Sequence, residues 1–175
     1  MDLRASLENE MLLVRALVPE DREPLYQAAS DPLIWEQHPC KRYIRAEFDT
    51  FFDESIDSKG ALTVIDKAKR KVIGSSRFKT FPEFPAVAEI GWTFLARSYW
   101  GGTYNRSLKE LMLSHAFRLV ESVVFFVDAR NIRSQRAVRK IGGKPVDNAQ
   151  YHELPLPGHN NLTFEVKKDD WLKTS

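Results

Sequence analysis

A strand, a glycine pair and a helix follow one another over residues 88–119, and this unit constrains the fold more than any other part of the chain. Apolar and β-favouring residues at 88–95 predict a strand. The adjacent Gly101 and Gly102 predict a turn. From Tyr104 onward, apolar residues recur at helical spacing and predict a helix. The unit therefore places a helix N-terminus directly after a glycine turn that leaves a strand.

Such a unit is suited to binding an anion. The first turn of a helix has N–H groups without intrahelical acceptors, and the aligned peptide dipoles add partial positive charge there. Because glycine lacks a Cβ, a phosphate can approach the backbone closely. We therefore predict that a diphosphate binds over residues 101–105.

Composition limits the classes of function. The chain has 175 residues, of which 43% are hydrophobic and 29% charged, as expected for one globular unit. No apolar run approaches the roughly 18 residues that span a bilayer, and the first residues lack the layout of a secretory signal. Cys40 is alone, which excludes an internal disulfide and favours a cytoplasmic setting. The formal net charge of +2 gives no long-range attraction to nucleic acid, so we expect no nucleic-acid partner. We also expect no membrane partner, and a monomer or homodimer.

The remaining patterns predict an α/β (α+β) fold with a mixed, mostly antiparallel sheet and about four helices. Strands at 61–65, 71–81 and 88–95, joined by short links, indicate an antiparallel meander. The unbroken apolar run at 122–127 indicates a strand covered on both faces. The other predicted elements are strands at 11–17, 144–146 and 162–166, helices from 19 to a stop at 31–32, at 44–56 and at 128–141, a loop at 151–161 and a trailing end from 171.

Several motifs, in this order, resemble those of the GCN5-related N-acetyltransferase (GNAT) superfamily. They are Tyr99-Trp100-Gly101-Gly102-Thr103-Tyr104, Asn131-x-x-Ser134 and Lys140-Ile141-Gly142. The branch that they resemble most contains the ribosomal-protein N-terminal acetyltransferases. The likeness extends to the opening strand and helix, so it implies a single N-acetyltransferase domain over 1–175. It also implies a sheet that splays between its fourth and fifth strands, with acetyl-CoA in the cleft as co-substrate and no metal.

The resemblance further implies which residues contact acetyl-CoA. Backbone N–H groups of the glycine turn would hold the pyrophosphate, and the fourth strand would pair with the pantetheine arm. Thr103 stands where the family usually has glycine or alanine, so its β-branched side chain narrows the approach. The implied cofactor-binding residues are Thr93, Phe94, Leu95, Arg97, Trp100, Gly101, Gly102, Thr103, Tyr104, Asn105, Asn131 and Arg133.

Acetyl transfer to an amine needs a base, an oxyanion donor and a proton for the leaving thiolate. Glu89, near the start of the strand along the cleft, is the candidate base, although ordinary alternation on an exposed strand explains it equally well. By the family pattern, Ser134 is the candidate proton donor. The acceptor would be a primary amine, on a small molecule or at a peptide N-terminus, that attacks directly in a ternary complex. Trp35, Tyr43 and Trp92 are candidates for its pocket.

Other functions stay open at this point. A dinucleotide-binding oxidoreductase domain shares the strand–turn–helix unit, but its glycine pattern requires glycine where Thr103 and Arg106 stand. A domain of the GNAT fold that binds CoA or another ligand only as a sensor is the second alternative. A nucleic-acid-binding module is disfavoured because the net charge of +2 is small and the sequence has no aromatic–basic strand motif.

Overall fold

The protein is described by a computed structural model that covers residues 6–147, Tyr151 and residues 160–173. In these residues eight strands form one sheet in the order β1-β2-β3-β4-β5-β6-β8-β7. The strands are β1 (Leu7–Glu8), β2 (Leu12–Ala16), β3 (Ala61–Asp66), β4 (Lys71–Thr80), β5 (Val87–Leu95), β6 (Ser122–Asp128), β7 (Lys144–Val146) and β8 (Asn161–Lys167). The helices are α1 (Arg22–Ala29), α2 (Arg45–Asp57), α3 (Tyr104–Ala116), α4 (Ile132–Lys140) and α5 (Lys168–Leu172).

Most elements lie close to their predicted bounds, and the differences have local causes. α4 begins at Ile132 rather than 128, because the Asn131 side chain accepts a hydrogen bond of 3.0 Å from the Ser134 N–H and caps the helix. The predicted trailing end is wrong, since Trp171 belongs to α5 and its ring packs 6.3 Å from that of Phe117. The short strand β1 was not predicted, and the loop expected at 151–161 lies largely outside the described residues.

Two hydrophobic clusters hold the helices against the sheet. α3 contributes Leu108, Met112 and Leu113 to the larger cluster, which includes residues of most strands. α2 contributes the predicted face of Phe48, Phe51 and Phe52, all at most 5% exposed, to a second cluster with α1. These helices are amphipathic, and burial of their apolar faces fixes their positions.

The sheet opens between β5 and β6. These strands run parallel and pair only where residues 87–89 of β5 meet residues 122–124 of β6. β6 instead pairs antiparallel with β8 along its whole length, from Ser122 to Asp128. The edge of β5 from Ile90 to Leu95 is therefore left without a strand on that side. The predicted fourth and fifth strands are β5 and β6 here, because β1 was not predicted, and the expected splay between them is confirmed. The mainly antiparallel sheet differs from the parallel sheet of a dinucleotide-binding domain.

Candidate active site

β5 is distorted where it leaves β6. Its register with β4 shifts between Ser75 and Arg77, and Trp92 takes a φ of +52°. A positive φ is unusual for a bulky residue, and bulges of this kind are common beside active sites. The distortion follows Glu89 by three residues, and it ends the regular alternation of side chains along the open edge.

The larger of two adjoining cavities, about 800 Å³, follows this open edge toward α4. Most of the predicted cofactor residues line it, namely Thr93, Phe94, Leu95, Trp100, Gly101, Gly102, Thr103, Asn105, Asn131 and Arg133. Arg97 is not in the lining, and its Nε atom lies 2.6 Å from Asp31 Oδ2 in an ion pair. Tyr104 is also absent from it, because its ring packs edge-on against Tyr99 at 4.8 Å.

The glycine turn presents free backbone N–H groups to this cavity. Gly101 has a φ of +74°, which favours glycine, and no atom lies within 4 Å of the place where its Cβ would be. The first helical bond of α3 runs from the Ser107 N–H to the Thr103 carbonyl at 2.8 Å. The N–H groups of residues 104–106 thus have no acceptor among the described residues.

Thr103 fits this turn without backbone strain. Its φ of −89° and ψ of −11° lie in the right-handed helical region, where any residue is allowed. Its hydroxyl does not cap α3 and lies 3.7 Å from the sulfur of Met11. The side chain is exposed.

Two aromatic residues fix the turn to the sheet. The Tyr99 hydroxyl donates to Asp66 Oδ2 at 3.0 Å, and the Trp100 indole N–H donates to the Leu95 carbonyl at 2.9 Å. The Arg133 guanidinium stacks 4.0 Å from the Trp100 ring and donates to the Ile34 carbonyl at 2.7 Å. Arg133 thus joins α4 to the opposite side of the cleft, and these contacts hold the turn in place.

A smaller cavity of about 390 Å³ lies on the β5 side and contains Glu89. The two cavities meet at a set of residues that line both, namely His38, Thr93, Asn105, Asn131, Ser134, Ala137 and Ile141. Ser134 is therefore placed at the boundary, and its hydroxyl makes no hydrogen bond to a described residue. The far end of a ligand that extends along the larger cavity to Ser134 would therefore lie next to the smaller cavity.

Glu89 is buried in the smaller cavity. The residue is 3% exposed, and its Oε2 atom has no hydrogen-bond partner among the residues that the structure describes. Burial raises the pKa of Glu89 to about 7, against the opposing charges of Lys79 and Arg77. The alternative of an ordinary exposed strand residue is contradicted. A carboxyl group with this pKa can take up and release a proton near neutral pH.

The three aromatic residues predicted for an acceptor pocket are not brought together. Trp92 lines the smaller cavity. Trp35 lines the larger one, and its indole N–H donates to the Ala29 carbonyl at 2.7 Å. Tyr43 lines neither, and its carbonyl accepts from the Tyr26 hydroxyl at 3.2 Å.

Sequence reasoning missed three residues that line the smaller cavity, which are His38, Arg42 and Lys109. Lys109 is 5% exposed, and its Nζ atom donates to the Thr93 hydroxyl at 2.5 Å. Burial lowers the pKa of Lys109 to about 7. Burial and then Arg42 lower the pKa of His38 to about 4, so the ring is neutral at pH 7. A lysine on the helix face that also carries Met112 is the sequence feature that points to this burial.

Neither a metal site nor a membrane-spanning helix is found in the described residues. They contain no group of three His, Cys, Asp or Glu side chains that could hold a metal ion. No helix in the part of the chain that the structure describes is long and apolar enough to cross a membrane.

Comparisons with known proteins agree with this geometry. The sequence model of the acetyltransferase (GNAT) domain matches residues 11–144. A probable GNAT-family acetyltransferase from Chromobacterium violaceum is 20% identical, with a TM-score of 0.79 over 96% of this chain and 88% of that one. A GCN5-related N-acetyltransferase from Brucella melitensis is 20% identical, with a TM-score of 0.78 over 97% of this chain and 81% of that one. Spermidine N-acetyltransferase from Vibrio cholerae, in complex with CoA and spermine, is 17% identical, with a TM-score of 0.67 over 94% of this chain and 99% of that one.

Proposed function

The chain belongs to the acetyltransferase (GNAT) family, and from this premise we propose that it transfers the acetyl group of acetyl-CoA to a primary amine. The reaction proceeds by direct attack while both substrates are bound. Its main support is the junction of two cavities at Ser134, one with a phosphate-binding turn and the other with a buried carboxyl group. The cytoplasm is the proposed setting, because Cys40 is a free thiol.

The larger cavity fits CoA. The free N–H groups of residues 104–106 suit a pyrophosphate, and the positive φ of Gly101 turns the chain without placing a side chain in the way. The open edge of β5 at residues 93–95 offers main-chain groups to the amides of a pantetheine arm. When bound, acetyl-CoA supplies an activated thioester, and the remaining steps belong to groups of the chain itself.

Glu89 acts as the base. An amine acceptor enters mostly as ammonium, and the Glu89 carboxylate accepts its proton directly or through one water. With its pKa raised to about 7, Glu89 is partly ionised at neutral pH and is a stronger base than an exposed glutamate. Burial at the start of the open edge places this proton acceptor in the smaller cavity, where the amine binds.

Ser134 acts at the other side of the reaction. Attack by the amine nitrogen forms a C–N bond and breaks the C–S bond, so the departing thiolate needs a proton. The Ser134 hydroxyl, at the start of the helix that Asn131 caps, donates its proton to the thiolate and recovers one from water, so that the hydroxyl is restored at the end of the reaction. A backbone N–H at the β5 bulge is the proposed donor to the carbonyl oxygen. Positioning supplies most of the rate, because a thiolate leaves readily.

The experiment measures release of CoA from acetyl-CoA with a panel of primary amines, beside calorimetric titration with CoA and with NAD. We expect CoA to bind, NAD not to bind, and at least one amine to be acetylated. Glu89→Gln should keep CoA affinity and lose turnover, whereas Glu83→Gln, at an exposed position, should lose neither. Binding of NAD alone would reject the proposal. CoA binding without turnover on any amine would favour the alternative of a non-catalytic domain that binds CoA as a sensor.

A further inference from the structure

Two buried basic residues, Arg42 and Lys109, line the smaller cavity, and they are 7% and 5% exposed. The acidic residues that attract Arg42, which are Glu54 and Glu47, do not line this cavity. No carboxylate oxygen of the described residues lies within 4.0 Å of the side-chain nitrogens of Arg42 or Lys109. Buried charges are almost always paired, because desolvation of an isolated ion is costly. Two such residues at one cavity indicate that an anion belongs there.

The aromatic contacts of Arg42 account for its position but not for its hydrogen-bonding capacity. Its guanidinium lies 3.9 Å from the centre of the Phe51 ring and 5.2 Å from that of Trp35. Cation–π contacts offset part of the desolvation, and a hydrogen bond with the Cys40 side chain uses only part of the N–H donors of the guanidinium. Arg77 adds a third buried positive charge, 4.4 Å from the ring of Trp92 in the cavity wall.

The acidic residues of the cavity do not balance these charges. Glu89 is partly protonated at neutral pH because burial raises its pKa to about 7. Asp128 forms an ion pair with Arg130, whose Nε atom lies 3.2 Å from Asp128 Oδ1. His38 is neutral at this pH. Lys109 is likewise only partly charged at this pH, because burial lowers its pKa to about 7, so the excess positive charge of the smaller cavity rests mainly on Arg42.

We propose that Arg42 and Lys109 bind a carboxylate carried by the acceptor amine, so that the acceptor is a small amino acid and not a polyamine. This assignment rests on the proposed acetyltransferase function and names the substrate class of the same site. A planar guanidinium binds a carboxylate through two parallel hydrogen bonds, and the ammonium of Lys109 adds a third. The acceptor amine then lies in the same cavity as Glu89.

The phosphates of CoA do not account for this pair. Arg42 and Lys109 line the smaller cavity only, whereas the glycine turn lines the larger one. A polyamine is a cation, so Arg42 and Lys109 would repel it. This repulsion would weaken only if the polyamine bound far from both residues. The positive charge of the smaller cavity therefore disfavours an acceptor that carries only positive charges.

The experiment compares acceptors that differ only in the anionic group. For each common small amino acid, the panel contains the amino acid, its carboxamide and its aminoalkylphosphonate, with spermidine as the opposite charge. Binding is measured by calorimetry with and without CoA, and kcat/KM is measured with acetyl-CoA. We expect at least one amino acid to have a Kd at least tenfold lower, and a kcat/KM at least tenfold higher, than its own carboxamide.

Variants assign the preference to the two cations. Arg42→Gln and Lys109→Met should reduce the ratio of carboxylate to carboxamide to within about threefold, while CoA affinity stays within threefold of wild type. Arg42→Lys keeps the charge and should retain part of the ratio if Arg42→Gln does not fold. The exposed controls Arg45→Gln and Lys71→Met line neither cavity and should leave the ratio unchanged.

Each other outcome overturns the assignment. Equal use of amino acid and carboxamide, a preference for spermidine, or a ratio that survives Lys109→Met would show that no carboxylate is bound by this pair. A preference for the phosphonate would replace the carboxylate by a phosphate-like group. If amines are acetylated without any carboxylate preference, the proposed function stands and the substrate class falls. If CoA does not bind, the proposed function falls, and the calorimetry without CoA still decides whether the cavity takes a carboxylate.

Discussion

Glu89 is the last residue of β5 that pairs with β6, and Val124 is its partner there. The carboxyl group therefore lies where the sheet begins to open, with paired strands on one side and the cavities on the other. This position explains both its burial and its access to a ligand. The pKa of about 7 follows from the burial.

The pH dependence of the rate should report Glu89. Since the carboxylate is the active form, kcat/KM should rise with pH through about 7 and then level off. Glu89→Gln should lower kcat/KM by about 100-fold or more. The rise of kcat/KM near pH 7 should disappear in this variant, and the remaining pH dependence should come from ionisation of the amine acceptor alone. The check is a pH–rate profile of wild type and variant with one acceptor. A limb at pH 7 that persists in Glu89→Gln would remove Glu89 from the mechanism.

Stability should respond to the same group in the opposite direction. The pKa of Glu89 is higher in the folded protein than its ordinary value of 4.5, so wild type loses stability as pH rises from about 4.5 through about 7. Glu89→Gln does not ionise, and its free energy of unfolding should gain about 3 kcal/mol on wild type between pH 4.5 and pH 8. Urea unfolding at both pH values measures this gain, and a constant difference would contradict the pKa.

Two neighbouring glycines of the turn should differ in their tolerance of alanine. At Gly101 the φ of +74° makes alanine cost about 1 kcal/mol and places a methyl group near the phosphate site. At Gly102 the φ is not positive and no atom lies within 4 Å of the added Cβ. Calorimetry should show CoA binding weakened at least fivefold more by Gly101→Ala than by Gly102→Ala. Equal effects would mean that the turn adopts another conformation when CoA binds.

Gly74 on β4 should tolerate no side chain. An added Cβ would lie 2.0 Å from the carbonyl oxygen of Phe94 and 3.0 Å from Leu95 Cα, both on β5. Gly74→Ala must therefore push β4 and β5 apart, which should cost about 2 kcal/mol or more of stability. CoA affinity should fall as well, because residues 93–95 line the larger cavity. Thermal unfolding and calorimetry test this, and unchanged stability with unchanged affinity would contradict the close packing.

Local sequence patterns were sufficient to predict most elements and the glycine turn before α3. Helical spacing in α2 and α3, the apolar run of β6 and the glycine pair each depend on residues close together in the chain, so their consequences are visible without a structure. The same holds for Asn131 and Ser134, which stand three residues apart. β1 and α5 were missed because elements of two and five residues carry too little periodicity.

The character of the smaller cavity could not be predicted in this way. Arg42 precedes α2 and Lys109 lies on α3, and only the fold brings both to one cavity. The pKa of Glu89 likewise depends on burial by distant residues, and the distortion at Trp92 depends on the register of β4. The aromatic residues Trp35 and Tyr43 were assigned by residue type alone, and the structure gives them other contacts.

The most direct test of the account is a crystal structure of the protein with CoA. We predict that the pyrophosphate accepts hydrogen bonds from the N–H groups of residues 104–106 and that the pantetheine arm runs along residues 93–95. Its sulfur should end beside Ser134, facing the cavity of Glu89. Phosphates bound elsewhere, or a glycine turn without contact to the ligand, would contradict the account.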